Sequence, residues 1–558
     1  MKNFSYLFMA GLMTLGLWSC SDDADITAGG ENEISGDVYM SFKLELPTAG
    51  RSATDEPDSD DPDGGDTNSD ANPDFEVGTT GENKISHLKV VLAQKEGDGT
   101  YTALAVSQDE TLGGANVDYV ATFDAVDMIG ETVADQNVYV FVFCNYSGIT
   151  TLAEWQNVLD GSKTINSIND ITGDNQFWMA NAELSEVKMP KSTDYPKYNT
   201  PATAFDLGEV KVERAAARFD FKETNDNVYE LESGKVKVTL TDMALVNMSN
   251  SFYYLRRVAN ANTESDKEKQ ADLTNVIICG TEKYNNYVVD TDATDKMNEL
   301  QLPNNFFYHW SNITIQETPT MMDFQDLWGN LNPAKIADFD KDDNWNDEQY
   351  KFWCYATENT LPSIDSQIKG LSTGVLFRGE LSVVEDDDKR LDGSFAYVYN
   401  NVLYGQWSDI KAKFTDENAT LSDELIRLQD AYQAVAATMG TSDENPDKAK
   451  AAAAGFTVYE KVDGKFYVYY YYINKHNDNF VSVEDPKNDE MGPMEFAVVR
   501  NNVYKLAVTK INKYGHPGDP TGDPDPENPI DPDEEKEVYF TVSVKVLPWV
   551  VRVNNIEF

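Results

Sequence analysis

Two stretches of strict apolar/polar alternation, one near each end, constrain this chain more than anything else in it. Val38, Met40, Phe42, Leu44 and Leu46 alternate with Tyr39, Ser41, Lys43 and Glu45. Val538, Phe540, Val542, Val544 and Val546 alternate with Tyr539, Thr541, Ser543 and Lys545. A period of two puts every second side chain on one face of a pleated strand, so each stretch reads as a strand with one buried face. Pro47 closes the first. Pro548 divides the second from a further strand, residues 549–558, carrying Trp549, Val551 and Val553. Acidic segments rich in Asp, Pro and Gly, residues 52–74 and 517–537, set both stretches apart from the body. Such segments bury too little apolar surface to order themselves and read as linkers.

The body between them is mostly β. Residues 85–92 and 138–143 read as central strands of a first region, 75–212. Residues 235–240, 352–355, 375–384, 456–459, 466–473 and 496–509 read as strands of a second, 213–516, with Asn, Asp and Gly turns between them. A strand-like run at 210–221 joins the two. Thr151 and Glu154 spell a capping box opening a short helix. Ser422 can cap a second, with Leu425, Leu428, Tyr432 and Val435 near helical spacing and the Ala-rich 449–454 as its neighbour or continuation. A length of 558 residues accommodates this two-domain plan.

Export is written at the N-terminus. Lys2, an apolar run to Trp18, and Ser19-Cys20 form a signal peptide (1–19) with a lipobox, whose Cys20 is the residue to be acylated. Residues 20–51 are then a lipidated propeptide that includes the first alternating strand. The formal net charge is −51, from 96 acidic and 45 basic residues, which excludes nucleic-acid binding and docking on anionic lipid. Cys144, Cys279 and Cys354 show no metal-type spacing. Cys144 reads as a buried free thiol inside its apolar run, and a disulfide among the three stays open.

Arg51 stands alone before the first acidic segment, in the small, exposed context that proteases cut. Cleavage between Arg51 and Ser52 would free the strand of Val38, Met40, Phe42, Leu44 and Leu46. The groove left behind would expose apolar pockets and unpaired sheet edges. The terminal strand of another molecule, built on Val538, Phe540, Val542, Val544 and Val546 with Trp549, Val551 and Val553 beyond, has the alternation to fill it. Five apolar side chains at ~1.5–3 kcal/mol each supply the gross driving force, and ordering the strand consumes much of it. Such a contact is head to tail and propagates as a filament.

Several motifs, taken in order, resemble the type V fimbrilins, shaft subunits of fimbriae in Gram-negative anaerobes, and most of all the short-fimbria shaft subunit. They are Cys20; Tyr39-Met40-Ser41-Phe42; Arg51; Val212-Glu213-Arg214-Ala215-Ala216-Ala217-Arg218; Tyr355-Ala356-Thr357-Glu358-Asn359-Thr360; Val499-Arg500-Asn501-Asn502-Val503-Tyr504; and Val544-Lys545-Val546-Leu547-Pro548-Trp549 after an Asp/Pro-rich linker. The resemblance thins over residues 260–350 and the helical insert. It implies two tandem transthyretin-like β-sandwiches and export to the outer membrane as a lipoprotein. It further implies cleavage after Arg51 by a trypsin-like or Arg-specific protease, and assembly into a surface fimbria through terminal donor strands at 538–558. The implied partners are identical subunits, that protease, anchor and tip fimbrial proteins, and host or bacterial surface receptors.

Other chemistry is thinly supported. His87, His309, His476 and His516 are scattered, and no GxSxG or His/Cys spacing occurs. No enzyme activity, cofactor or metal is expected. Acidic residues 55–70 place Gly64 where an EF-hand needs its glycine, but Ser59 and Asp70 stand where Asp and Glu are required, so a solvated spacer is the reading. Tyr467 and Tyr469 to Tyr472 form an aromatic run with one set of rings expected in the core and the other on the surface, where it would offer a glycan-stacking platform. Glu358 and Asn359 read as a strand-end turn. A monomeric glycan-binding surface lipoprotein and an accessory or tip fimbrial protein are the alternatives to a shaft subunit.

Overall fold

The computed structural model describes residues 36–45, 76–108, 110–111, 119–128, 133–173, 176–259, 276–279, 287–288, 306–307, 321–339, 350–361, 366–415, 421–440, 444–476, 494–530 and 539–550. The signal peptide, Cys20, Leu46, Arg51, Ser52, the 52–74 linker with its acidic 55–70 segment, His309, Val538, Val551 and Val553 lie outside them.

The N-terminal body is built from β1 (Asp37–Glu45), β2 (Glu76–Val77), β3 (His87–Lys95), β4 (Tyr101–Val106), β5 (Tyr119–Asp124), β6 (Asn137–Cys144), helix α1 (Leu152–Asp160), β7 (Met179–Asn181) and β8 (Phe205–Arg214). Strands β3 and β6 are the two central strands expected. Excepting β2, the strands run in the order β4-β3-β6-β7-β8-β1-β5. Strand β8 pairs with β1 over residues 205–211 and with β7 over residues 212–214, so it passes from one layer to the other. Layer β5-β1-β8 thereby faces layer β4-β3-β6 across a core that includes Met40, Phe42, Val90, Phe123, Val140 and Val210. The reverse side of β3 and β6 carries Val91, Phe141 and Phe143, packed on Trp155 of α1. Helix α1 starts at the expected box: the Thr151 hydroxyl accepts from Glu154 N, and the Glu154 carboxylate accepts from Thr151 N at 2.8 Å.

The C-terminal body continues with β9 (Ala216–Phe221), β10 (Val228–Leu231), β11 (Val236–Val246), α2 (Phe324–Trp328), β12 (Lys351–Thr357), β13 (Gly374–Val383), α3 (Asp423–Ala436), α4 (Lys448–Ala453), β14 (Thr457–Glu460), β15 (Tyr467–Ile473), β16 (Asn502–Ile511) and β17 (Phe540–Val550). Two sheets, β2-β17-β16-β9-β12 and β10-β11-β13-β15, face each other. Phe219, Phe221, Tyr504 and Leu506 of the first meet Val236, Val238, Phe377 and Tyr470 of the second, the interleaving of a sandwich core. The helical insert is where its pattern put it. Ser422 caps α3, and Leu428 and Val435 bury against Trp407 and Val458.

Four expectations need correction. The run 210–221 is two strands: a break at Ala215 sends β8 into one body and β9 into the other. The run 496–509 is a strand only from Asn502; before it, Val498 makes an isolated bridge to Asn359. The terminal segment does not divide at Pro548, since β17 runs through it to Val550. Proline is tolerated there because β17 is an edge strand along most of its length. The linker 517–537 is packed against the body as far as Ile530: Met322 N donates to Glu527 O at 2.9 Å and Gly370 N to Pro529 O at 2.8 Å.

The bodies meet at a buried ionic seam formed by three of the quoted motifs. Arg214, fully buried, donates through Nε to Glu82 O at 3.1 Å and through Nη1 to Asn501 Oδ1 at 3.2 Å. Arg218 pairs with Asp220 at 2.7 Å and lies 3.5 Å from Glu82, which also accepts from the Tyr355 hydroxyl at 2.8 Å. Arg500 holds Glu358 through Nε at 2.9 Å and Nη2 at 3.1 Å, and Nη2 also donates to Tyr253 O at 2.7 Å. Arg256 pairs with Glu213 at 2.7 Å. Burial pulls the Arg214 pKa down to about 9. Burial also works against the Arg500 charge, but Glu358 outweighs it and holds Arg500 above the ordinary arginine range. Glu358 and Asn359 thus sit in the interior instead of a strand-end turn, and Asn359 Nδ2 donates to Leu371 O at 2.9 Å and Asn247 O at 3.1 Å.

Replacing one partner of such a pair strands the other charge, at about 3–5 kcal/mol. Glu358→Gln should therefore lower the urea midpoint strongly, and Glu358→Leu with Arg500→Met should recover much of the loss. Unfolding curves showing equal loss in the single and double variants would contradict this.

Candidate functional site: the leader-strand slot and the terminal strand

Strand β1 is an interior strand. It runs parallel to β8, with Met40 opposite Phe205 and Leu44 opposite Val210, and antiparallel to β5, with Val38 opposite Phe123 and Met40 opposite Ala121. The alternation read from the sequence falls as expected. Val38, Met40 and Phe42 are at most 1% exposed and Leu44 packs half-buried on the same core, whereas Lys43 faces outward. The Phe42 ring stacks on Tyr119 with centroids 5.8 Å apart. Tyr39 N donates to Tyr198 O at 2.8 Å, and Gly36 O accepts from Ala125 N at 2.9 Å, fixing the start of the strand.

Lifting β1 out would open a slot with two unpaired walls, β8 and β5, and an apolar floor that includes Val90 and Val140. Such a slot accepts only an extended segment with apolar side chains at every second position.

The terminal strand has that pattern, and the structure seats it in its own C-terminal sandwich. Strand β17 pairs antiparallel with β16 from Phe540 opposite Ile511 to Pro548 opposite Asn502, with a register shift between Val508 and Lys510. On its other side, among the described residues, it meets β2 alone, through Trp549 opposite Glu76 and Val550 opposite Val77. Phe540 and Val542 are half-buried, and the Phe540 ring packs on Tyr470 at 5.1 Å and Phe377 at 5.9 Å. Val544, Val546 and Trp549 are placed by their backbone pairing alone. The two alternating strands therefore differ among the described residues: β1 is paired along both sides, while β17 is paired along one side and at two residues of the other.

The remaining candidates serve packing. Val468 and Tyr470 enter the main C-terminal core. Tyr469 is buried by Phe324 and Trp328, and the Arg378 guanidinium lies 4.5 Å from the Trp328 ring and 4.7 Å from that of Tyr467. The expected outward aromatic platform is thus largely covered. Cys144, Cys279 and Cys354 are free thiols, and burial pushes the first two up to about 12. Burial brings His476 down to about 4 beside the Tyr504 hydroxyl, and His87 Nε2 lies 3.1 Å from Tyr146 O. Among the described residues, no group of His, Cys, Asp and Glu could hold a metal ion. Sequence reasoning missed Glu82 and Arg256, whose local contexts carry no pattern; their roles arise from partners more than 40 residues away.

No curated protein matches the chain. Solved structures similar to it include a fimbrilin from Porphyromonas gingivalis, at 12% identity, covering 93% of this chain and 99% of that one with a TM-score of 0.35. Another is the tip fimbrial protein Mfa3 of the same organism with a C-terminal truncation, at 9% identity, covering 92% and 100% with a TM-score of 0.31. A fimbrial assembly protein from Parabacteroides distasonis matches at 12% identity, covering 64% and 98% with a TM-score of 0.22. The family described as major fimbrial subunit protein type IV, fimbrillin, C-terminal, matches residues 463–555, the span that contains β15, β16 and β17. Residues 463–555 thus match the fimbrillin C-terminal family, and the match falls on the part of the chain that carries the terminal strand.

Proposed function

We propose that this fimbrial protein is a shaft subunit that polymerises by exchanging its leader strand for the terminal strand of a sister molecule. In this reading the precursor reaches the outer membrane as a lipoprotein acylated on Cys20. An Arg-specific protease cuts between Arg51 and Ser52, and the segment carrying Val38, Met40, Phe42, Leu44 and Leu46 departs. The residues of β17, Phe540, Val542, Val544 and Val546, with Trp549, Val551 and Val553 beyond, enter the vacated slot from a neighbour. The mature filament stands on the cell surface and supports adhesion. Further partners are the anchor and tip proteins of the fimbria and the surface receptors it grips.

The observation that carries this reading is the position of β1. It is an interior strand of the N-terminal sandwich, yet it precedes a lone arginine and a long acidic segment. Its removal leaves a site that one strand geometry can refill. The terminal strand has matching alternation and only one full strand partner to give up. Its presence favours a shaft subunit over a tip protein, which needs no donor of its own. A glycan-binding lipoprotein would keep its lipid and leader strand.

Purified precursor treated with trypsin should acquire Ser52 as its N-terminus and then form SDS-resistant ladders. Arg51→Ala should leave a folded, lipidated monomer; ladders from that variant at the wild-type rate would defeat the proposal.

Deleting residues 549–558 should preserve the circular dichroism of the precursor and abolish ladders after cleavage. A synthetic peptide of residues 538–558 should bind the cleaved subunit and not the intact precursor. Equal binding to both would mean that the slot is not the acceptor.

A further inference from the structure

The acidic stretch before the terminal strand is a docked strap for much of its length. His516 exchanges main-chain hydrogen bonds with Tyr469 at 2.9 Å in each direction, and Gly518 O accepts from Phe324 N at 2.9 Å. At the centre of the strap lies a buried ionic cluster. His516 is 4% exposed and Asp523 8%. His516 Nδ1 is 2.6 Å from Asp523 Oδ2, and Nε2 is 3.1 Å from Glu527 Oε1. The Lys369 ammonium pairs with the other oxygen of Glu527. With a carboxylate at each ring nitrogen, both nitrogens carry protons and donate. The rings of Tyr539, at 4.8 Å, and Phe324, at 5.4 Å, cover the imidazole. The Tyr459 hydroxyl donates to Gly515 O, and Asp519 accepts from Lys448 at 3.2 Å. Burial alone would discharge His516, but the two carboxylates outweigh it and hold its pKa up to about 10; Glu527, although also buried, is held down to about 2 by His516 and Lys369.

We propose that residues 516–530 act as a permanent strap that fixes the root of the terminal strand to its own C-terminal sandwich, so that eight residues, 531–538, are all that join the strap to Tyr539 and the strand after it. The inference rests on the strand-exchange reading above. Eight residues at full extension span at most about 27 Å, against about 75 Å for the 22 residues from 517 to 538. The acceptor slot of a neighbour must then lie within the shorter reach, so the strap sets the spacing of subunits along the filament. The cluster suits a permanent fastening because removing one member leaves a buried neighbour with one counter-charge fewer.

Hydrogen exchange on the full chain tests this directly. Peptides covering residues 516–530 should be protected in the precursor and equally protected in assembled filaments. His516→Gln, and separately Lys369→Met, should speed their exchange by roughly tenfold and make the subunit spacing seen by electron microscopy longer and irregular. Protection should be greatest between about pH 4.5 and 6.5. The raised His516 pKa means that its contribution is complete below 6.5 and is lost as pH rises through about 10; the depressed Glu527 pKa means that its contribution is complete above 4.5 and is lost towards about 2. Loss of protection when wild-type subunits assemble, or unchanged spacing in both variants, would overturn the strap. Wild-type subunits that are cut at Arg51 and never polymerise would sink the exchange reading instead, and protection in the monomer then decides the strap by itself.

Discussion

A strand in the middle of a buried sheet has to find partners for its amides and carbonyls on both sides, because no water reaches them. In this protein that demand governs the N-terminal sandwich at β1. The strand supplies main-chain partners to β5 and β8 at once and fills the core with Val38, Met40, Phe42 and half-buried Leu44. Four such side chains represent roughly 6–12 kcal/mol of gross transfer free energy, comparable to the whole net stability of an ordinary domain. An empty slot would therefore cost about as much free energy as an ordinary domain has in reserve. In the proposed exchange, loss of the leader and arrival of a substitute would be tied by that energetic cost.

The slot and the terminal strand are also mechanically continuous. Strand β8 forms one wall of the slot; across the break at Ala215 the chain continues as β9. Strand β9 pairs parallel with β16, and β16 pairs with β17. Val503, at the start of β16, packs in the core of the N-terminal body although its strand belongs to the C-terminal one. Arg214 and Arg500, buried beside this path, pin Glu82 and Glu358 and the carbonyl of Tyr253. Charged groups so placed do not make the fold more stable than apolar ones of similar volume would. What they add is a fixed angle between the two bodies, because each guanidinium has one arrangement that satisfies its partners. In the proposed exchange a subunit would receive a strand at one body and offer one from the other, which calls for a constant angle.

Much of this was legible in the residues. The period of two named the inward face of β1 before any coordinates, since Val38, Met40 and Phe42 have no other common side. Thr151 with Glu154, and Ser422 with Leu428 and Val435, located two helices because caps and helical spacing are local properties. What escaped was non-local. The stretch around Asp519, Asp523 and Glu527 has the composition of a solvated linker, and its order comes from Lys369, Lys448 and His516, distant or single residues that no window over the segment would weigh. Glu358 looked like a turn residue because its partner Arg500 lies 142 positions away. One alternate set of the 467–472 tyrosines was expected at the surface, and α2 covers Tyr469 of the set opposite Tyr470, from a segment with no periodic signal of its own. Alternation also says nothing about which strand is interior and which is an edge, and here that difference carries the proposed function.

That difference also gives the proposed exchange its direction. In its own sheet β17 satisfies one side through β16 and touches β2 at two residues, while Phe540 and Val542 remain half-buried. In the slot of a neighbour it would have β8 on one side and β5 on the other, and its side chains would occupy positions that Val38, Met40 and Phe42 now fill at no more than 1% exposure. The move trades a one-sided ladder for a two-sided one and half-burial for full burial. The reverse move leaves a slot that nothing else refills once the cleaved leader has diffused away. Association has its own entropic cost, and the large negative charge opposes close approach until salt screens it. Both penalties fall on the first encounter rather than on the finished contact. A strand held at the sheet edge and rooted by the strap would keep that encounter local, so the proposed assembly could be slow to start and still end in a filament that does not come apart.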